Sequence, residues 1–251
     1  MLSKSLLQLS NQAGILALPS ERRQGEQMKH PQVYIGKIEP YHGSSPSAIG
    51  KRQVVGGIML TPLGLEGDEQ AEKRFHGGPD RALCHYPREH YAHWAQQFPQ
   101  QAEIFSPPAY GENISTLGMT EQSVYMGDIY RWGEAIIQVT QPRSPCYKLN
   151  FHFAIEDMSV LMQQTGYCGW LYRVISAGKV SESHPLELLA RSSDISVAEA
   201  IGIAWHMPFD EEQYHRLLAV AGLSASWSKT MLTRIGEGKI EDFNRRLLGR
   251  S

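Results

Sequence analysis

Residues 141–150 read QPRSPCYKLN and set one cysteine, Cys146, among turn-formers and cations, with Arg143 three residues before it and Lys148 two after. A cysteine that only fills space sits inside an apolar run, so this one is marked for its sulfur. Nearby positive charge favours the thiolate, which serves as a nucleophile, a redox thiol or a ligand to a soft metal. A redox thiol wants a resolving partner, and the chain has no CxxC. A nucleophile wants a general base, for which His76 and His152 qualify by type alone. Metal ligation needs neither. Cys84 in RALCHY and Cys168 in TGYCGW read instead as small buried hydrophobes.

Two further stretches carry more polar chemistry than packing requires. GLEGDEQAEKRFHGGPDRA, residues 64–82, is long and glycine-rich where a compact sheet prefers a short loop. Gly77 and Gly78 let backbone approach a ligand closely, while Lys73, Arg74, His76 and Arg81 supply donors. The plain alternative is a solvated loop with a turn at GGPD. The segment lacks a GK[ST] ending and an immediate helix start, which argues against nucleoside triphosphate binding. In YGENISTLGM, residues 110–119, Glu112 and Asn113 follow a glycine. By itself that is an Asx-type turn entering a strand. His85, His90 and His93 lack the HExxH pattern and an acidic third ligand, so they read as packing rather than zinc ligands. The Trp and Tyr residues at 91, 94, 205, 214 and 227 recur at helical spacing and also read as core.

These stretches need a scaffold, and the punctuation is that of short strands. QVYIGKI, RQVVGGIML, RALCHY, SVYMGDIYRW, EAIIQVT, GWLYRVIS and PLELLA are separated by Gly, Pro and Asp turns. The spacing predicts a β-barrel or strongly bent sheet, with hairpins at Gly56–Gly57 and Gly133. Two helices interrupt it: one from Pro87, with Tyr91, Trp94 and Phe98 on one face, and one from Asp157 to Gly166. After residue 192 the pattern turns helical, with Ser196, Asp210 and Ser224 as caps. The expected organisation is therefore a loosely ordered extension at 1–27, a β domain at 28–192 and a small helical domain at 193–251. Met28 is a candidate alternative start.

The bulk numbers bound the function. The chain has 251 residues and a formal net charge of −2, which gives no global argument for nucleic acid or an anionic membrane. Three separated cysteines fit a reducing, cytoplasmic setting and cannot ligate a ferredoxin-type cluster. No apolar run approaches a membrane span, and polar residues interrupt the leucine-rich start, against a signal peptide.

Taken in order, HGGPDRA at 76–82, GEN at 111–113, GD at 127–128 and PRSPC at 142–146 resemble the MOSC family, named for the C-terminal domain of molybdenum-cofactor sulfurase. With the helical tail, the chain is similar to the YiiM-like subgroup. The resemblance implies a MOSC-type β-barrel that binds a molybdopterin-type molybdenum cofactor, with Cys146 ligating molybdenum. His76, Gly77, Gly78, Asp80, Arg81, Asn113, Arg143 and Lys148 are then the expected cofactor-binding residues. It also implies an oxidoreductase that removes oxygen from N-hydroxylated bases such as 6-N-hydroxylaminopurine. Having no cluster of its own, such a chain takes electrons from a separate reductase, expected to be a flavoprotein. The tail then covers the barrel, contacts a second copy in a homodimer, or docks that reductase. The competing expectation is a protein that binds the cofactor, or carries sulfur on Cys146, without N-reduction.

Overall fold

The computed structural model describes residues 30–40, 46–71 and 77–249, together with the backbone of Leu16–Ala17. Most of the extension at 1–27 lies outside the described residues. Leu16–Ala17 forms a short strand, β1, paired antiparallel with β12 (Leu186–Arg191).

The site is built on the middle of a nine-stranded sheet. Its longest strand is β9 (Ala135–Pro142), eight residues buried throughout, flanked by β8 (Ile129–Trp132) and β10 (Trp170–Ser176). Beyond β10 come β6 (Leu83–His85), β7 (Ile114–Ser115), β2 (Gln32–Gly36) and β3 (Lys51–Val54). A second sheet of three strands joins β11 (Gly178–Val180), β4 (Ile58–Thr61) and β5 (Gly64–Leu65). The hairpin expected at Gly133 forms between β8 and β9. The one expected at Gly56–Gly57 does not: β3 pairs with β2 in the large sheet, while β4 pairs with β11 and β5 in the small one. The glycine pair therefore turns the chain from one sheet to the other. Among the described residues the ladders trace two open sheets rather than a closed ring, with β1 and β3 at the ends of the larger. Register shifts at Leu171/Tyr172 and Val174/Ser176 bend β10 against β9.

Helix α1 (Glu89–Gln97) buries Tyr91 and Trp94 as the spacing predicts. It starts past Pro87, with Arg88 at its N-cap. Helices α2 (Lys148–Phe153) and α3 (Met158–Thr165) follow the Cys146 turn, and α3 stops at Gly166 in the left-handed conformation. In the tail, α4 (Val197–Ile201), α5 (Glu211–Leu218) and α6 (Ala225–Glu237) are capped by Ser196, Asp210 and Ser224, whose side chains accept the backbone N–H three residues on. A last short helix, α7 (Asn244–Leu248), closes the chain. Although the pattern marks the tail as separate, Tyr214, Leu217, Trp227 and Met231 join one core with Trp94, Trp132 and Trp170. Each such buried side chain contributes roughly 1.5–3 kcal/mol, which fastens the tail to the sheet. Among the described residues no helix is long and apolar enough to cross a membrane.

Candidate functional site

A cleft of about 220 Å³ opens where β6, β9 and β10 end, lined by residues that include Cys84, Cys146, Arg81, Arg143, Lys148 and Asn113. One wall is the Cys146 turn. Arg143 N–H donates to Gly169 O at 3.0 Å, extending the β9–β10 ladder by one step. Pro145 has no N–H to continue it, so the chain leaves the sheet there and enters α2 at Lys148. Helix α7 clamps this exit. Arg246 Nη1 donates to Pro145 O at 2.6 Å, Tyr147 N–H donates to Arg246 O at 2.8 Å, and Asn150 Nδ2 donates to Leu247 O at 3.1 Å.

Another wall is β6, carrying Cys84. Asn113 organises it: its Oδ1 accepts from Cys84 N–H at 3.1 Å, and its Nδ2 donates to Tyr34 O at 3.2 Å and Asp68 Oδ2 at 2.8 Å. Asp68 in turn accepts from Gly36 N–H at 2.7 Å and from the Lys51 ammonium. The Asn113 amide is thus occupied by the protein. Gly111 lets this wall fold tightly, since it sits at φ 70° and a Cβ there would meet Ile49 Cγ1 at 2.8 Å.

Cys84 is not the buried filler its apolar run suggests: it is half-buried and faces the cleft, whereas Cys168 is buried as expected. Burial pushes the Cys84 thiol up, and the Arg143 guanidinium beside it works the other way. Arg143 sits in the fields of Cys84, Cys146 and Glu112. Burial opposes its charge, those neighbours favour it, and the balance is upward. Its Nη1 is buried with no hydrogen-bond partner, as are Tyr110 Oη and Glu112 Oε2. These atoms leave hydrogen-bonding capacity in and behind the cleft wall that a ligand or water can satisfy.

The other expected residues divide. Lys148 lines the cleft. Arg81 does too, and its Nη2 donates to Ser226 Oγ at 2.9 Å. Burial lowers its pKa. Asp80 turns away: it pairs with Arg173 at 2.7 Å, accepts from Ala225 N–H at 2.9 Å at the start of α6, and does not line the cleft. Gly77 and Gly78 lie outside the lining as well, Gly78 at φ 99° leading the short 3-10 turn Pro79–Arg81. His76 lies outside the described residues. Asp128 of the GD pair binds Arg191 and Tyr125 N–H, a structural task.

Lys51, Asp68, Tyr110 and Gln141 line the cleft without having been picked out in the sequence, and Glu112, noted there only as part of a turn, lies behind it. Nothing in their spacing links the first four. A glutamate inside GEN, next to residues that turn into the core, was the one visible signal. Among the described residues no group of three His, Cys, Asp or Glu side chains could hold a metal by itself. A soft metal at Cys146 would therefore have to bring other ligands with it.

Residues 72–187 match the MOSC domain, and residues 195–238 match the YiiM-like 3-alpha helix domain. The protein YiiM of Escherichia coli K12 is 67% identical over 224 residues, which span 89% of this chain and all of that protein. The chain belongs to the MOSC family. Other relatives lie further off. A reductase of Gibberella moniliformis is 36% identical over 163 residues, 64% of this chain but 29% of its own length. The crystal structure of YiiM from Escherichia coli superposes with a TM-score of 0.79 at 60% identity, covering 89% of this chain and all of that one. YiiM from Geobacillus stearothermophilus gives 0.71 at 31%, covering 83% and all. This MOSC chain is accordingly a mixed α/β protein with a large sheet and C-terminal helices.

Proposed function

We propose that this MOSC protein is a molybdenum-cofactor-dependent reductase of N-hydroxylated bases such as 6-N-hydroxylaminopurine, supplied with electrons by a separate flavoprotein reductase. The observation that carries the reading is one guanidinium, Arg143, buried with an unpartnered Nη1 and electrostatically tied to two thiols that line the same cleft. That donor set suits an anionic, sulfur-seeking ligand.

When bound, a molybdopterin-type cofactor supplies the two-electron chemistry and its own dithiolene sulfurs, leaving the protein to add one more. Cys146 is the sulfur best presented for this, because Arg246 and the α7 backbone hold its turn from behind. Arg143, Arg81 and Lys148 neutralise the anionic part of the ligand, and Arg143 offers a directed N–H. The reduction itself is R–NHOH + 2e⁻ + 2H⁺ → R–NH₂ + H₂O. The N–O bond breaks, the oxygen leaves as water, and each turnover consumes two protons.

Protein purified from a molybdenum-replete host should hold molybdenum by elemental analysis and reduce an N-hydroxylated purine with a flavoprotein or chemical reductant. Metal without turnover would make it a cofactor binder, and a persulfide on Cys146 without molybdenum would make it a sulfur carrier.

A further inference from the structure

The cleft has carboxylates at its opening and one more, fully buried, behind its wall. The carboxylates that approach the opening are engaged: Asp68 by Lys51, Gly36 N–H and Asn113, and Glu69 by Lys37 and Ile38 N–H. Cationic groups there bind charge but are poor proton donors near neutrality. Behind the wall lies Glu112, with no solvent exposure, between Gly111 and Asn113, which both line the cleft. Its Oε1 accepts from Tyr91 Oη at 2.5 Å, while Oε2 is unpartnered. Two more unpartnered polar atoms, Arg143 Nη1 and Tyr110 Oη, belong to residues of the same cleft.

We propose that Glu112 is the proton store of the cleft, taking up a proton when positive charge at Arg143 is neutralised and delivering one of the two protons that N–O reduction consumes. Delivery in turnover rests on the reductase reading; charge-coupled uptake does not. Burial raises the Glu112 carboxyl to about 7, against the opposing pull of the Tyr91 hydroxyl, its own backbone N–H, Arg143 and the backbone at Tyr110. The groups facing it are Tyr91 from α1, Tyr110 from the preceding loop, Tyr34 from β2 with Arg88 beside it, Cys84 from β6, and Arg143 beyond β9. Of these, Arg88 and Arg143 are cations at neutral pH, so an anion settling at Arg143 removes the main charge that keeps Glu112 ionised.

Infrared titration of the full chain without metal reads this directly. Wild type should show a protonated-carboxyl band that fades with a midpoint near neutral pH, and Glu112→Gln should lack it. Arg143→Gln and Tyr91→Phe should each move the midpoint up by about one unit, because each removes a group that favours the carboxylate. Persistence of the band in Glu112→Gln, or an unmoved midpoint in both other variants, would overturn the proposal. Should Glu112→Gln not fold, the two midpoint shifts decide alone. In the loaded enzyme, Glu112→Gln should lower kcat and erase the neutral limb of its pH profile. An unchanged profile overturns the delivery role, and a correct titration in a protein that reduces nothing overturns the reductase reading alone.

Discussion

The two cysteine walls of the cleft are held by different means. Cys84 sits on a strand whose neighbours are fixed from within the sheet, through the three hydrogen bonds of one side chain, Asn113. Cys146 sits past the end of a strand, where no ladder remains, and is held by the last helix of the chain through Arg246 and backbone atoms of α7. A strand presents its side chain by register and leaves it little freedom. A clamped turn presents its thiol where a ligand can reach, at the cost of needing a remote element to keep it there. The motif residues follow the same division. Asn113, Asp80 and Asp128 spend their polar atoms on the scaffold, whereas Arg143 keeps an N–H unspent.

The largest effect should separate the two sulfurs. Cys146→Ser should cut molybdenum retention and turnover by more than about a hundredfold, and Cys84→Ser by no more than about tenfold. Elemental analysis with kcat/KM measures both, and equal losses would mean that the walls share one function. A second effect comes from behind the Cys84 wall. Glu112 is raised to about 7 in the folded chain, so the native state holds a proton that the unfolded chain gives up at ordinary carboxylate values. Its contribution to stability is therefore greatest at low pH and is lost as pH climbs to about 7, by roughly 3 kcal/mol in total. Urea unfolding of wild type and Glu112→Gln should show that fall only in wild type.

The two clamps can be broken one at a time. Asn113→Ala leaves Cys84 N–H, Tyr34 O and Asp68 Oδ2 without their partner and should cost about 3 kcal/mol. Arg246→Ala frees Pro145 O and Gln163 Oε1 and should cost about 2 kcal/mol. Its distinguishing sign is local: Cys146 should alkylate faster while Cys84 does not, as read by peptide mass spectrometry.

What could be seen in the sequence was whatever depends on neighbours along the chain. The three tail caps, the Gly133 hairpin and the apolar face of Tyr91 and Trp94 are local signals, and each is present in the fold. Cys84 was misread because its run, RALCHY, is apolar, yet in the strand it alternates with the buried Leu83 and His85 and so lines the cleft on the other face. The Gly56–Gly57 signal gave the turn but not its destination, since which sheet a strand joins depends on long-range pairing. The Lys51–Asp68 pair and the α7 clamp join residues too far apart in sequence to leave any spacing signature.

The smallest expected effect belongs to Asp80, a motif residue whose side chain serves the scaffold. Its carboxylate bridges Arg173 and the first N–H of α6, so Asp80→Asn keeps one acceptor but loses the charge that both partners favour. The ion pair is partly solvated, and the expected cost is about 1 kcal/mol, visible as a small drop in Tm. Molybdenum content and the alkylation rates of both cleft cysteines should stay at wild-type values, because Asp80 contributes nothing to the cleft lining. Loss of metal from a variant that melts normally would move Asp80 from the scaffold group to the ligand group.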